Sequence, residues 1–278
     1  MVRPLGRVLG VVGALVMMSS VWSAGDARAD ERFILVASTT STQNSGLFDH
    51  LLPMFKAKTG IEVRVVAVGT GQALKLGERG DADLLLVHDS VSEMLFVQEG
   101  HGVDRRDVMY NDFVIVGPGD DSASASAADS ASKAFQLIAR AKAPFVSRGD
   151  NSGTHKAELR IWLDAGIGVK GHSGDWYREA GAGMGATLNT ASVMGAYTLA
   201  DRATWLAFGN KGDLRVIHEG DQHLFNPYGV ILVNPKRFPH VKEQDARAFM
   251  DWLTSQEGQD AIAAFSIQDR QVFFPNAQ

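Results

Sequence analysis

The sequence predicts an α/β protein folded in two lobes that are joined by two crossover strands. Three observations carry this expectation. Short apolar runs alternate with amphipathic segments along the chain, as in a doubly wound sheet. Near Gly117 the composition shifts to an Asp-, Ser- and Ala-rich stretch over residues 120–132. Two strand-like runs, 113–116 and 229–233, flank the segment between them, the pattern of one domain inserted into another. We therefore expect residues 30–116 with 225–278 to form one lobe and 117–224 the other. One continuous doubly wound domain is the alternative that the same pattern allows.

The elements follow in chain order. Arg3 and Arg7 precede an apolar stretch at 8–21, and Ala27-Arg28-Ala29 supplies a small-x-small cleavage pattern. Residues 1–29 are read as a cleaved secretory signal; the stretch is short and glycine-broken for a membrane span, and a retained anchor is the alternative. Removing Arg3, Arg7, Arg28 and Asp26 takes the formal charge from −5 to −7 and leaves about 249 residues. Residues 33–37 read as a first strand. Residues 46–58 read as a helix with Leu47, Leu51 and Phe55 on one face and Gly60 near its end, which Pro53 should kink or break early. A strand at 61–68, a short helix at 72–78, a strand at 82–87 and a helix at 91–98 come next. After the strand at 113–116 we expect a helix at 132–141, a strand at 144–146 and a helix at about 152–165. One helical stretch over about 186–208 and a short strand at 214–217 complete the second lobe. The strand at 229–233 and an amphipathic helix at 243–265 close the chain. No repeat of 20–50 residues is visible.

Composition excludes several function classes. The acidic balance argues against a nucleic-acid partner, which wants a basic face. It does not argue against an anion ligand, because local dipoles and hydrogen bonds hold a buried oxyanion. The chain has no cysteine, hence no disulfide and no lipidated cysteine. Its eight histidines show no metal-ligand spacing. We expect no metal site, no cofactor, and a monomer free in the periplasm of a Gram-negative host.

Three polar turns, each between an apolar run and a helix start, carry the chemistry. The first holds Ser38, Thr39, Thr40, Ser41 and Thr42, five hydroxyls with no acid, and leads to Asn44-Ser45-Gly46. The second is Gly69-Thr70-Gly71. The third runs from Ser147 and Arg148 to Asn151-Ser152-Gly153, followed by Thr154. A fully ionised oxyanion offers only acceptors, so its site wants donors: backbone N–H groups, hydroxyls and an arginine fork. Helix starts supply free N–H groups and the positive end of the dipole, and glycines let the backbone approach closely. Such junctions gather at the carboxyl edge of an α/β sheet. Arg148 is the sharpest single residue, and Asp150 could orient it. Plainer readings stand beside these. Ser45 and Ser152 could be simple helix N-caps, the other two turns ordinary connections, and Arg148–Asp150 a surface ion pair.

Other catalytic patterns fit less well. Ser152 and His155 lie three apart after one helix start, whereas triad members converge from separate elements. The segment 149–153 is not a Gly-x-Ser-x-Gly elbow, and 69–77 lacks the Gly-Lys ending of a phosphate loop. A secreted hydrolase is thus the remote alternative. His88, after an apolar strand, reads as structural.

The motif-bearing stretches resemble the periplasmic tungstate-binding proteins of ABC transporters, within the type II solute-binding superfamily. The resemblance rests on Ser38-Thr39-Thr40-Ser41-Thr42-Gln43-Asn44-Ser45-Gly46-Leu47, on 59–63, on 66–74 and on 80–83. It continues through 110–118, Ser147 to His155, and Asn226-Pro227-Tyr228. It spans nearly all of the chain beyond the signal, in order. Ser38 stands where the family usually has Thr, keeping the hydroxyl. The resemblance implies a two-lobed type II periplasmic binding fold with two hinge crossover strands and no enzymatic activity. The ligand implied is tungstate, or molybdate, and the partners are ABC permease membrane subunits. The binding positions implied are Ser38, Thr39, Thr40, Ser41, Thr70, Gly71, Arg148, Ser152, Gly153 and Thr154. The segment from Arg148 to Thr154 also looks like the phosphate-receptor pattern, so a phosphate- or sulfate-binding receptor of the same fold remains the rival.

Overall fold

A computed structural model describes residues 32–277, so the expected signal at 1–29 lies outside the described residues. Strand β1 (Phe33–Thr39) runs directly into a five-residue helix, α1 (Thr40–Asn44). The hydroxyl run is therefore not a plain loop. Its Thr39 caps α1 by accepting from Thr42 N. Helix α2 (Leu47–Thr59) follows and passes through Pro53 without a break. Burial of Leu47, Phe48, Leu51 and Phe55 offsets the hydrogen bond that the proline removes. The positive φ of Gly60 ends the helix in the left-handed region.

Next come β2 (Glu62–Val68), α3 (Thr70–Arg79), β3 (Leu84–Val87) and α4 (Ser90–Gln98). Strand β4 (Gly102–Pro118) is seventeen residues long, far longer than the 113–116 expected. Its first half carries charges and an irregularity between Val103 and Arg106, with Asp104 in the left-handed region, which hides the strand alternation. Then follow α5 (Ala131–Ala141), β5 (Phe145–Ser147), α6 (Gly153–Asp164) and β6 (Tyr177–Glu179). The helix expected over 186–208 is instead α7 (Met184–Met194), strand β7 (Thr198–Asp201) and α8 (Arg202–Ala207). Gly195, at φ 58°, stops α7, and Asp201 caps α8 by accepting from Thr204 N. Strands β8 (Leu214–His218) and β9 (Phe225–Val233) lead to α9 (Glu243–Thr254) and α10 (Gln256–Ala264), two helices where one was expected. Ser255 separates them, its side chain capping α10 through Gly258 N. Short strands β10 (Ser266–Ile267), β11 (Arg270–Gln271) and β12 (Phe274–Pro275) end the chain.

The main sheet has the order β12-β4-β9-β3-β1-β2. Strands β1, β2 and β3 are parallel, while β9 runs antiparallel to β3 and to β4. The last residues of β4 leave β9 and pair with β7 and β8. Both β4 and β9 thus run from one packed region toward another. Ile34, Leu51, Phe55, Leu85, Ile231 and Phe249 belong to the larger core. Phe135, Phe145, Trp162 and Tyr177 form a second, in which the rings of Phe135 and Trp162 lie 4.2 Å apart. Val146, Met184 and Leu188 form a third. Residues 113–116 alternate between the second and third cores, so this stretch is buried on both faces. Ala203 and Leu206 of α8 pack into the first.

Candidate functional site

Thr39 lies opposite Val68 in the parallel β1–β2 register, so α1 and α3 start side by side at one sheet edge. The start of α6 meets them from the other direction. Gly153 N donates to Thr70 Oγ1 at 3.1 Å, and Arg148 Nη2 reaches Thr40 Oγ1 at 3.5 Å. A Cβ on Gly71 would lie 2.5 Å from Asn151 Nδ2, and one on Gly153 2.8 Å from the His88 ring. The three turns picked out in the sequence therefore converge in tight contact.

Each hydroxyl has one hydrogen, and partners show where it goes. Ser38 Oγ donates to Leu86 O at 2.6 Å, beneath the junction. Ser45 Oγ donates to Thr42 O. Thr39 Oγ1 sits 3.0 Å from Ser41 Oγ and 2.8 Å from Thr42 Oγ1. Ser152 Oγ caps α6 by accepting from His155 N at 3.2 Å. Thr40 Oγ1 and Thr70 Oγ1 have only donors facing them, which leaves their own hydrogens unengaged by described residues. Among the described residues Thr154 Oγ1 is buried without any partner, an arrangement that asks for an explanation.

Arg148 is 2% exposed, deeper than a surface pair. Its Nη2 and Nε hold Asp150 Oδ2 at 2.6 and 3.2 Å, while Asp150 Oδ1 accepts from Ser152 N. Both carboxylate oxygens of Asp150 are thus taken by this loop's own donors. The imidazole of His155 accepts from Asn151 N through Nδ1 and makes no bond to the Ser152 hydroxyl. No serine nucleophile is activated there.

Behind the hydroxyl run lies a buried network that sequence reasoning missed. Asp201, at the end of β7, is fully buried. Its Oδ2 accepts from Asn111 Nδ2 at 2.8 Å, Tyr228 OH at 3.1 Å and Asn226 Nδ2 at 3.2 Å, and its Oδ1 from Thr204 N. Asn111 and Asn226 face each other across the crossover strands β4 and β9. Asn226 Oδ1 meets His88 Nδ1 at 2.9 Å, and His88 Nε2 meets Ser41 Oγ at 3.2 Å. Burial pushes the His88 imidazole below its usual range, against the pull of Asp201. Burial, then Asp201, raises the Tyr228 phenol well above its usual range.

Nearby on α6, Glu158 accepts from Tyr177 OH at 2.8 Å and Trp162 Nε1 at 3.1 Å. Burial raises its carboxyl to about 7. On the far side of His88, Asp89 is held by Arg160 at 2.9 Å and Lys156 at 3.4 Å. A groove of about 790 Å³ is lined by Tyr110, Asp112, Arg202, Phe225 and Phe274 and contains none of the sequence-predicted site residues. Among the described residues there is no cluster of three or more His, Cys, Asp or Glu placed to hold a metal ion.

A family profile described as a PBP superfamily domain matches residues 24–257. The tungstate-binding protein TupA of Peptoclostridium acidaminophilum is 42% identical over 285 residues, covering 98% of this chain and 99% of its own. The chain belongs to the PBP superfamily, in the family of the tungstate-binding proteins. Two solved members of that family agree. The tungstate ABC transporter structure from Geobacter sulfurreducens is 50% identical, with a TM-score of 0.77 over 84% of this chain and 99% of that one. The tungstate-binding protein TupA from Desulfovibrio alaskensis is 43% identical, with a TM-score of 0.77 over 89% and 100%. The fold is the two-lobed α/β architecture of periplasmic binding proteins that the alternating pattern and the flanking strands led us to expect.

Proposed function

We propose that this chain is the solute-binding component of an ABC importer and that it binds tungstate, with molybdate as the close analogue. Three strand-to-helix junctions converge on a buried arginine whose neighbouring carboxylate is already engaged, and this observation carries the reading. A donor-only shell suits an anion without a proton to give. The ligand contacts we assign are Ser38, Thr39, Thr40, Ser41, Thr70, Gly71, Arg148, Ser152, Gly153 and Thr154. Within that set, Thr40, Thr70 and Thr154 carry the hydroxyl hydrogens best placed for the anion. Ser38, whose hydrogen lies on Leu86 O, serves by shaping the turn.

The lobes we assign are 30–116 with 225–278, and 117–224. The separate cores support this division, with β4 and β9 as crossovers. Closure of the lobes would complete the donor set, exclude water and signal occupancy to permease subunits in the membrane. We place the chain in the periplasm as a monomer, exported through the signal at 1–29. Among the described residues no helix is long and apolar enough to cross a membrane. The chain is a receptor and not an enzyme in this reading. Isothermal titration with tungstate, molybdate, sulfate and phosphate tests it. Tungstate should bind at least about a hundredfold tighter than hydrogen phosphate, because a protonated ligand oxygen would find no free carboxylate, Asp150 being engaged by Arg148 and Ser152 N. Comparable phosphate affinity would make this a phosphate receptor instead.

A further inference from the structure

The hydrogen-bond network behind the site fixes where the protons sit. Asn226 Nδ2 donates to both Asp201 Oδ2 and Asn111 Oδ1, the latter at 2.6 Å, so its oxygen must face His88. Reversing the amide would put its oxygen against a carboxylate and another amide oxygen. His88 Nδ1 therefore carries a hydrogen and donates it to Asn226 Oδ1. In a neutral ring, Nε2 is then a bare acceptor, and the Ser41 hydroxyl donates to it. Ser41's only hydrogen is thus turned away from any anion held by the three junctions.

The charges around the ring are already matched. The groups facing His88 are Asp201 at the end of β7, Arg148 after β5, the adjoining Asp89 and Tyr228 of β9. Phe113 of β4 and the Gly153 start of α6 close the other sides. Arg148 is paired with Asp150, and Lys156 and Arg160 with Asp89. Asp201 is balanced only by neutral donors. Arg148, Lys156 and Arg160 together only match Asp89, Asp150 and Asp201, so an arriving dianion finds no net positive charge among these groups.

We propose that oxyanion binding is coupled to uptake of one proton at the His88 imidazole, which makes His88 a positioning residue for Ser41. The proton comes from solvent and adds to the Nε2 lone pair. Nε2–H then donates to Ser41 Oγ, and the Ser41 hydrogen turns to the anion. Nδ1–H stays on Asn226. One proton both offsets charge beside the anion and converts Ser41 into a donor. In the empty protein, burial lowers the pKa of the ring and so favours its neutral form, in which Nε2 accepts from Ser41. This inference rests on the oxyanion reading above.

Titration calorimetry of the full chain with tungstate, in buffers of different ionisation enthalpy at pH 7, counts the protons. Wild type should take up close to one, and affinity should fall by up to about tenfold per pH unit as pH rises through the coupled range. His88→Gln should show uptake near zero and a flat pH profile. Nitrogen NMR of the wild-type ring needs no variant: both ring nitrogens should carry hydrogen in the tungstate complex, and only Nδ1 without it. Tungstate binding with buffer-independent heat, a neutral His88 in the saturated complex, or undiminished uptake in His88→Gln would each overturn the coupling. Absence of heat with every oxyanion would instead sink the binding reading on which it rests.

Discussion

Replacing Arg148 by alanine should weaken tungstate binding more than the loss of one contact. The guanidinium is buried and holds Asp150 through two nitrogens. A hydrogen bond to a charged group contributes about 1.5–3 kcal/mol. Removing the arginine also leaves the Asp150 carboxylate uncompensated near the anion. Two like unit charges about 6 Å apart repel by roughly 3 kcal/mol at an effective dielectric of about 20. Screening and water entry into the vacated space reduce that repulsion, so a total loss of about 3–5 kcal/mol is expected, or roughly 150- to 4,000-fold in Kd. Arg148→Ala combined with Asp150→Ala should recover the repulsive part and return the loss to about 1.5–3 kcal/mol. Arg148→Lys should fall between, keeping the charge and losing the fork. Calorimetric titration gives the affinities and circular dichroism checks the fold. A folded Arg148→Ala within about threefold of wild type would refute the assignment. A double variant no better than the single would remove Asp150 from the argument.

Three further outcomes follow from the same geometry. Gly71→Ala should weaken tungstate binding by tenfold or more while leaving the melting temperature of the empty protein nearly unchanged, because its new Cβ meets Asn151 at 2.5 Å only when the junctions are together; Gly69→Ala, with 3.6 Å of room, should bind normally in the same titration. Thr70→Val removes the acceptor for Gly153 N and a hydroxyl hydrogen, and should cost about 1–3 kcal/mol of affinity, measured by competition with molybdate. Glu158 has a folded-state pKa raised to about 7 from 4.5, so it destabilises the fold progressively as pH rises through that window; Glu158→Gln should match wild type at about pH 3.5 and exceed it by up to roughly 3 kcal/mol at pH 8 in denaturant melts.

The parts of this fold that were legible in the sequence share a physical cause. Strands β1 and β3 are largely apolar runs because both faces are covered, edge strand β2 alternates between apolar and charged residues at its start, and Gly60 marks a helix end by its left-handed backbone. Ser152 announces a helix start by capping it. What stayed hidden depends on partners far away in the chain. The first half of β4 is charged and irregular, and only pairing with β9 makes it a strand. Strand β7 is four residues in an Ala- and Thr-rich stretch that reads as helix, and pairing with residues 113–116 decides otherwise. His88, Asn111, Asp201 and Asn226 form one network although Asn111 and Asn226 are 115 positions apart. No local pattern marks such a set, since topology alone brings its members together.

The hydroxyl run shows why counting residue types misjudges a site. Five consecutive hydroxyls suggest five donors, but folding engages most of those hydrogens. Ser38 donates to Leu86 O, Ser41 is held by His88, and Thr39 and Thr42 face each other. Thr40 remains, the first residue of α1. The other two junctions each retain at least one threonine hydroxyl as well: Thr70 is the first residue of α3, and Thr154 the second of α6. Each strand-to-helix junction therefore contributes at least one unengaged hydroxyl hydrogen on a threonine at the positive end of a helix, and Ser152, which accepts from His155 N, keeps its own as well. Three donors arriving from three elements can surround a tetrahedral anion, whereas five from one loop would approach it from a single side. The donor set is thus a property of the convergence, and the remaining hydroxyls hold the first junction in the shape that convergence needs.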